Sequence, residues 1–236
     1  MKHISLAMAI HNEEENLTRS LDSVVPLVDE IVIVDGASTD RSVEIAKEYK
    51  AKIIHRDNPA MFHINKQIAL DHCSKEWIFQ LDADEAVPKD LQEEMKNLEE
   101  TPDINGYWIK RRNYFLGKFL TKGGQYPDYT LRLYRRGKGR LPAKDVHEQA
   151  VVEGQVGYIK GDLLHLRDKN FSIYIERFNR YTDLLAEQLY QSGVKVNFFS
   201  FAIFILLKPV MWFIKVYFRH RGYVDGFAGF IFALFS

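Results

Sequence analysis

The chain contains a single cysteine, Cys73, in 236 residues. An internal disulfide is therefore excluded, and a reducing compartment suits such a chain. Cys73 follows an apolar helical stretch with Ile64, Ile68 and Leu70, which predicts a packing role for the thiol. An excess of charge of either sign is also missing, because 32 Lys and Arg balance 32 Asp and Glu. Nothing global then draws the chain toward nucleic acid. It has no internal repeat and no low-complexity segment, which argues against a solenoid or a biased tail. The opening MKHISLAMAI has a short apolar run without a small-residue cleavage site, so it predicts a first strand and not a signal peptide. A chain of this length can bury one substantial core, or a core with a small appendage.

What is present is an alternation of strands and helices. Residues 4–10 are apolar and short. Asn12 with Glu15 three residues later predicts a capping box for a helix carrying Leu17, Leu21 and Val24. Residues 30–35, 51–56 and 77–82 predict three further strands, with helices over 41–49 and 62–73 between them. Strands this apolar, alternating with helices, predict a parallel sheet covered on both faces. Ligands of such sheets bind beyond the carboxyl ends of the strands. Those ends carry HNEE, DGAS and DADE. Beyond Gly106 the pattern changes to antiparallel strands over GYWIKRRNYF, YTLRLYRRG and EGQVGYIKG, with Gly117, Gly123, Gly124, Gly137 and Gly139 in the turns. A long helix is predicted over 171–191, with Tyr174, Phe178, Tyr181, Leu185 and Leu189 as a core stripe.

The stretch WIFQLDADEAVPKDL puts Asp82, Asp84 and Glu85 at the end of a buried strand. Like charges this close repel, and burying them is costly unless something positive sits among them. The arrangement reads either as a solvated acidic turn before a helix starting near Pro88, or as a metal site.

In order and spacing, AIHNEEENL, IVIVDGASTDRSVEIAKEY and WIFQLDADE resemble the nucleotide-sugar-binding half of family 2 glycosyltransferases. YTLRLYRRG, DVHE, YIERFNRYTDLLAEQ and KPVMWFIKVYFRHRGYVDGFAGF resemble the branch containing lipopolysaccharide core β-1,4-glucosyltransferases. The resemblance covers nearly the whole chain. It implies an α/β, GT-A (nucleotide-diphospho-sugar transferase) fold: a Rossmann-like, mostly parallel sheet with helices on both faces. A catalytic domain would span 1–195, its donor half 1–105 and acceptor half 106–195, followed by a membrane-associating segment over 196–236.

The resemblance also implies roles for residues. The D-x-D carboxylates would meet a divalent cation, Mg²⁺ or Mn²⁺, on the diphosphate of a UDP-sugar donor. Asp84 is then the direct metal ligand, Asp82 lies near the ribose or the metal, and His165 matches a third ligand position. Glu85 would hold a supporting or acceptor position. Asp35 matches the aspartate that pairs with the uracil edge, although the usual V-D-D-G-S reads VDGAS here, so Gly36 and Ala37 depart. Ala9 and Glu13 match positions lining the nucleotide, Lys66 stands within reach of a phosphate, and Gln67 replaces a frequent asparagine. Read as residues alone, Glu13 also reads as a first-turn helix acid, Lys66 as a surface lysine and His165 as a structural histidine. Inversion at a sugar carbon needs a base for the acceptor hydroxyl. KDVHEQ supplies it, with Glu148 favoured over Asp145; strand alternation puts His147 on the opposite face from its neighbours Val146 and Glu148.

Residues 198–218 are long enough to cross a bilayer, which takes about 20 residues, yet Lys208 and Pro209 sit in the middle. At about 100° per residue, Asn197, Lys208, Lys215 and Arg219 share one narrow face. That pattern predicts a helix lying in the headgroup plane of an anionic membrane surface; a core helix or an oligomer interface is the alternative. GFAGFIFALF is too short to cross.

The expected activity is inverting transfer of a sugar, with glucose from UDP-glucose first in line, onto a lipid-linked saccharide such as lipopolysaccharide core. The expected place is the cytoplasmic face of the inner membrane, with no nucleic-acid partner and an oligomeric state left open. A polyprenyl-phosphate glycosyltransferase, which needs no protein base, is one rival. A non-catalytic membrane-bound nucleotide-sugar-binding protein is another, disfavoured by the intact Asp35, Asp82 and Asp84.

Overall fold

Alternation along the strands builds the core. Strands β1 (Ile4–Ile10), β2 (Glu30–Gly36), β3 (Lys52–Arg56) and β4 (Trp77–Gln80) lie in the order β3-β2-β1-β4, all parallel. Successive side chains point to opposite faces. Leu6, Met8, Ile33, Trp77 and Phe79 therefore pack on one side with Leu17, Leu21 and Val24 of helix α1 (Glu14–Val24). Ala7, Val32, Val34 and Ile78 pack on the other with Ala69 and Leu70 of helix α3 (His63–Asp71), and with Cys73. Helix α2 (Ser42–Glu48) adds Ile45 and Ala46 to the first layer. Burial on both faces is why these strands read as nearly unbroken apolar runs.

The computed structural model describes residues 3–59, 61–98, 101–142, 149–168 and 170–236, with side chains for all of these but Asp168. Past β4 the chain turns through the two-residue strand β5 (Glu85–Ala86) into helix α4 (Lys89–Asn97). Pro88 stands at the N-cap of α4, where its missing N–H costs nothing. Strands β6 (Ile104–Phe115), β8 (Asp128–Arg135) and β11 (Gln155–Asp168) extend the sheet to β3-β2-β1-β4-β8-β6-β11-β5, with β7 (Lys118–Phe119) on β6. The pairs β4–β8, β5–β11 and β6–β7 are antiparallel. The mostly parallel half with helices on both faces and the antiparallel extension are as the sequence predicts. Strands β9 (Gly139–Arg140) and β10 (Val151–Val152) form a separate ladder.

Three local expectations are corrected. Glu13, not Asn12, is at the N-cap of α1, and no side chain caps it. Asn12 instead adopts a left-handed backbone (φ 55°), and its Oδ1 accepts the Thr39 N–H at 2.8 Å. Gly139 lies in a strand and not a turn. A Cβ there would stand 2.2 Å from the Tyr134 ring, so close approach and not chain reversal demands glycine. In helix α5 (Phe171–Gln191) only Tyr174 of the aromatic stripe is buried, and Leu185 is 54% exposed.

The chain forms two compact units, Met1–Arg111 with Tyr129–His165, and Arg112–Asp128 with Leu166–Ser236. The first holds the sheet layers just described. In the second, Phe115, Leu120, Tyr174 and Ala228 form a small core joined by Ile231, Phe232 and Phe235. Buried Asp225 holds it together: its carboxylate accepts from the Thr121 and Lys122 amides (2.9 and 2.8 Å) and from the Thr121 hydroxyl (2.8 Å). Phe198–Arg219 is a continuous helical run, long and apolar enough by length and composition to cross a membrane, with 6% of its apolar window buried. Pro209 has no N–H to give the preceding turn. The π-helical stretch Ala202–Leu207 just before it is the kind of local widening that accommodates such a lost bond.

Candidate active site

Because β1, β2 and β4 are parallel neighbours, their carboxyl ends at Ile10, Gly36 and Gln80 open on one edge. Asp35 sits at the β2 end, with 2% of its surface exposed. Its Oδ1 accepts the Ser38 N–H at 3.2 Å, and its Oδ2 lies 3.1 Å from His55 Nδ1. The departure at 36 has a local cause, because a Cβ on Gly36 would crowd Ile10 O and Asn65 Nδ2, both at 3.3 Å. Ala37 carries a positive φ of 58°, a conformation that favours glycine, and nothing in the structure explains the alanine. Ala9 pairs in register with Val34 beside this end. The Glu13 carboxylate accepts from Asn16 Nδ2 at 2.8 Å, and the Glu13 amide donates to Ser42 Oγ at 2.8 Å.

The acids after β4 separate into two settings. Asp82 is held at 2.5 Å by Lys66 Nζ, at 2.8 Å by Arg132 Nη2 and at 3.1 Å by Gln80 Nε2. Burial alone would raise its carboxyl; Arg132 and Lys66 overcome this and hold it well below the usual carboxylate range. Glu85, with a fully buried side chain, faces Arg132 Nη2 at 2.5 Å and Arg111 Nη1 at 3.5 Å. Its second oxygen accepts the Asp82 N–H at 2.9 Å, which closes the turn. Glu85 is therefore a support within the turn. Burial would lower the Arg132 guanidinium, but the carboxylates of Asp82 and Glu85 raise it above its ordinary value. Removing one partner of such a buried pair costs about 3–5 kcal/mol.

Asp84 meets a different partner. Strand β11 pairs with β5 so that His165 lies opposite Glu85, which brings His165 Nε2 to 3.4 Å from Asp84 Oδ2. Two donors each about 2.1 Å from one cation, at right angles, stand about 3.0 Å apart, so the pair is near the spacing a shared ion needs. A carboxylate oxygen with an imidazole nitrogen is a mixed donor pair, unlike the all-oxygen shell Mg²⁺ prefers. Among the described residues no group of three His, Cys, Asp or Glu gathers into a metal cage.

The structure thus brings Lys66, Asp82 and Glu85 together, and Asp84 with His165. Asp145 and Glu148 lie outside the described residues. Sequence reasoning missed Arg132, Arg111, Gln80 and His55. A signal for Arg132 was available: in YTLRLYRR it stands between Leu131 and Leu133, and an arginine in a buried strand requires a buried acid.

Residues 5–151 match the family description Glycosyl transferase family 2. The lipopolysaccharide core biosynthesis glycosyltransferase LpsC of Rhizobium meliloti (strain 1021) is 36% identical, covering 94% of this chain and 83% of its own. The Uncharacterized glycosyltransferase RT0209 of Rickettsia typhi is 28% identical over 98% of this chain and 82% of its own. Among solved structures, S. aureus TarS 1-349 superposes with a TM-score of 0.53 at 14% identity, covering 99% of this chain and 81% of that one. With a family match over more than half its length and this LpsC likeness, the chain belongs to family 2 of the glycosyltransferases, in the lipopolysaccharide core branch.

Proposed function

We propose that the chain transfers glucose from UDP-glucose, with inversion, to a lipid-linked saccharide of the lipopolysaccharide core. One observation carries the reading. The turn Asp82–Glu85, with two acids neutralised and the third paired to His165, opens on the strand edge that also presents Asp35. The LpsC likeness supports the acceptor class.

In this reading Asp35 accepts a hydrogen bond from the base edge, with Ser38 and His55 holding its carboxylate in place. Lys66 adds positive charge beside the diphosphate. Asp84 and His165 hold a divalent cation, which offsets charge on the departing nucleoside diphosphate. Either Glu148 or Asp145 takes the proton of the acceptor hydroxyl. Glu148→Gln keeps size and hydrogen bonding and loses basicity, so about 10²–10⁴-fold of the rate should go while donor binding persists. A crippled Asp145→Asn beside a healthy Glu148→Gln would reverse the assignment. Tolerance of both losses would favour transfer to polyprenyl phosphate.

The tail supports a place at the membrane. Residues 188–224 contain no Asp or Glu, while Lys195, Lys208, Lys215, Arg219 and Arg221 are spread through them. Phe198, Phe199, Leu207 and Met211 are more than half exposed. A basic, apolar surface of this kind suits the anionic cytoplasmic leaflet. The deciding experiment offers UDP-glucose, UDP-galactose, UDP-N-acetylglucosamine and GDP-mannose with Mn²⁺, Mg²⁺ or EDTA, and reads donor hydrolysis and protection against heat. UDP-glucose turnover that EDTA abolishes is the expected result, and indifference to every donor would end the proposal.

A further inference from the structure

The charges around the Asp82–Glu85 turn balance before any ligand arrives. Asp82, Asp84 and Glu85 stand among the permanent cations Lys66, Arg111 and Arg132. Arg132 is the hub of the group. It is nearly buried, and one nitrogen, Nη2, reaches Asp82 Oδ2 at 2.8 Å and Glu85 Oε1 at 2.5 Å. Without it, Glu85 would keep the hydrogen bond from the Asp82 N–H and the longer contact to Arg111, at 3.5 Å. Asp82 would keep Lys66.

We propose that Arg132 is a positioning residue that sets the charge of the donor site. It cancels the carboxylates of Asp82 and Glu85, so that a cation at Asp84 presents its charge to the diphosphate and not to the protein. It also holds both ends of the turn that carries Asp84, through its bonds to residues 82 and 85. This inference rests on the reading of the turn as the donor site.

A charge-setting role has a signature that packing lacks. Removing the guanidinium leaves the site one unit more negative, so a cation should bind more tightly and a diphosphate more weakly. A packing defect would weaken both. Calorimetric titrations of Mn²⁺ alone and of UDP alone read the two signs separately. For Arg132→Met the expected shifts are about tenfold each, in opposite directions, the scale of one charge several ångströms away in a partly solvated site. Arg132→Lys keeps the charge, and both contacts go to a single nitrogen, so both affinities should stay within about threefold of wild type.

Glu85→Gln should give the reverse signs, with weaker Mn²⁺ and tighter UDP. The double variant Arg132→Met/Glu85→Gln should return both affinities toward wild type. Should Arg132→Met fail to fold with Glu85 left uncompensated, the double variant compared with Glu85→Gln alone measures the same charge. Parallel weakening of both ligands, or no change in either, would overturn the role of Arg132. A wild-type protein that binds neither Mn²⁺ nor UDP would overturn the donor-site reading itself.

Discussion

Asp82 and Asp84 are the same residue type two positions apart, and their neighbours give them different work. Asp82 is saturated by Lys66, Arg132 and Gln80, whereas Asp84 faces an imidazole. In the proposed role Asp84 holds a cation, so Asp84→Asn should lower transfer by at least about a hundredfold, while the melting temperature stays close to wild type. Metal-dependent turnover at the wild-type rate would refute that role. Glu30 offers a test of pH dependence. Burial pushes its carboxyl up, but the Ser5 hydroxyl and the Ser74 amide and side chain outweigh this and lower it. A depressed folded value means stability that is complete above the ordinary value of 4.5 and is lost as pH falls through the folded one. Glu30→Gln should flatten the acid limb of stability below that value in urea titrations run against pH. Cys73 is buried, and burial followed by the nearby Glu30 pushes its thiol up to about 12. At pH 8 it should resist iodoacetamide in the folded protein and react fully in urea.

At the scale of elements, what decides is which face of each strand or helix finds a partner. Strand β8 alternates Leu131 and Leu133 with Arg132 and Tyr134, and all four are buried. An arginine is tolerated there because the carboxylates of Asp82 and of Glu85, the latter delivered by β5, neutralise it. Helix α5 has the periodicity of a core helix, yet beyond Tyr174 its stripe is only half-buried at Phe178, Tyr181 and Leu189 and is exposed at Leu185. Period alone reports that a helix is amphipathic, not what covers it. The helix Gly226–Leu234 is docked by close backbone approach: a Cβ on Gly229 would fall 2.0 Å from the Gly222 carbonyl oxygen. Gly229→Ala should therefore destabilise its unit by about 1–3 kcal/mol or more. Faster exchange of the Thr121 and Lys122 amides, which Asp225 holds, is the measurement. Unchanged protection of these two amides would show that the docking is unaffected.

For the whole molecule, the question is how a neutral chain would find a charged surface. Its overall balance of 32 against 32 hides the acid-free stretch 188–224. Each basic residue near anionic lipid is worth about 1 kcal/mol. Changing Lys208, Lys215 and Arg219 to Glu should release the protein from anionic liposomes while leaving hydrolysis of free donor little altered, because the acidic turn belongs to the other unit. Sedimentation with neutral and anionic liposomes at low and high salt checks this. Wild-type binding that ignores both lipid charge and salt would count against a basic docking face.

The residues by themselves determined the alternation of buried strands and helices, the edge on which the acids converge, and the family. Hydrophobic period and chain-local turn signals are written along the chain, and parallel order follows from them. Tertiary structure alone decided which acid is neutralised and which faces His165. Arg132 is 50 residues from Asp82 in sequence, and the register of β11 against β5 that aligns His165 with Glu85 depends on long-range pairing. Charge compensation in a buried site acts over a few ångströms of space, which spacing along the chain does not encode.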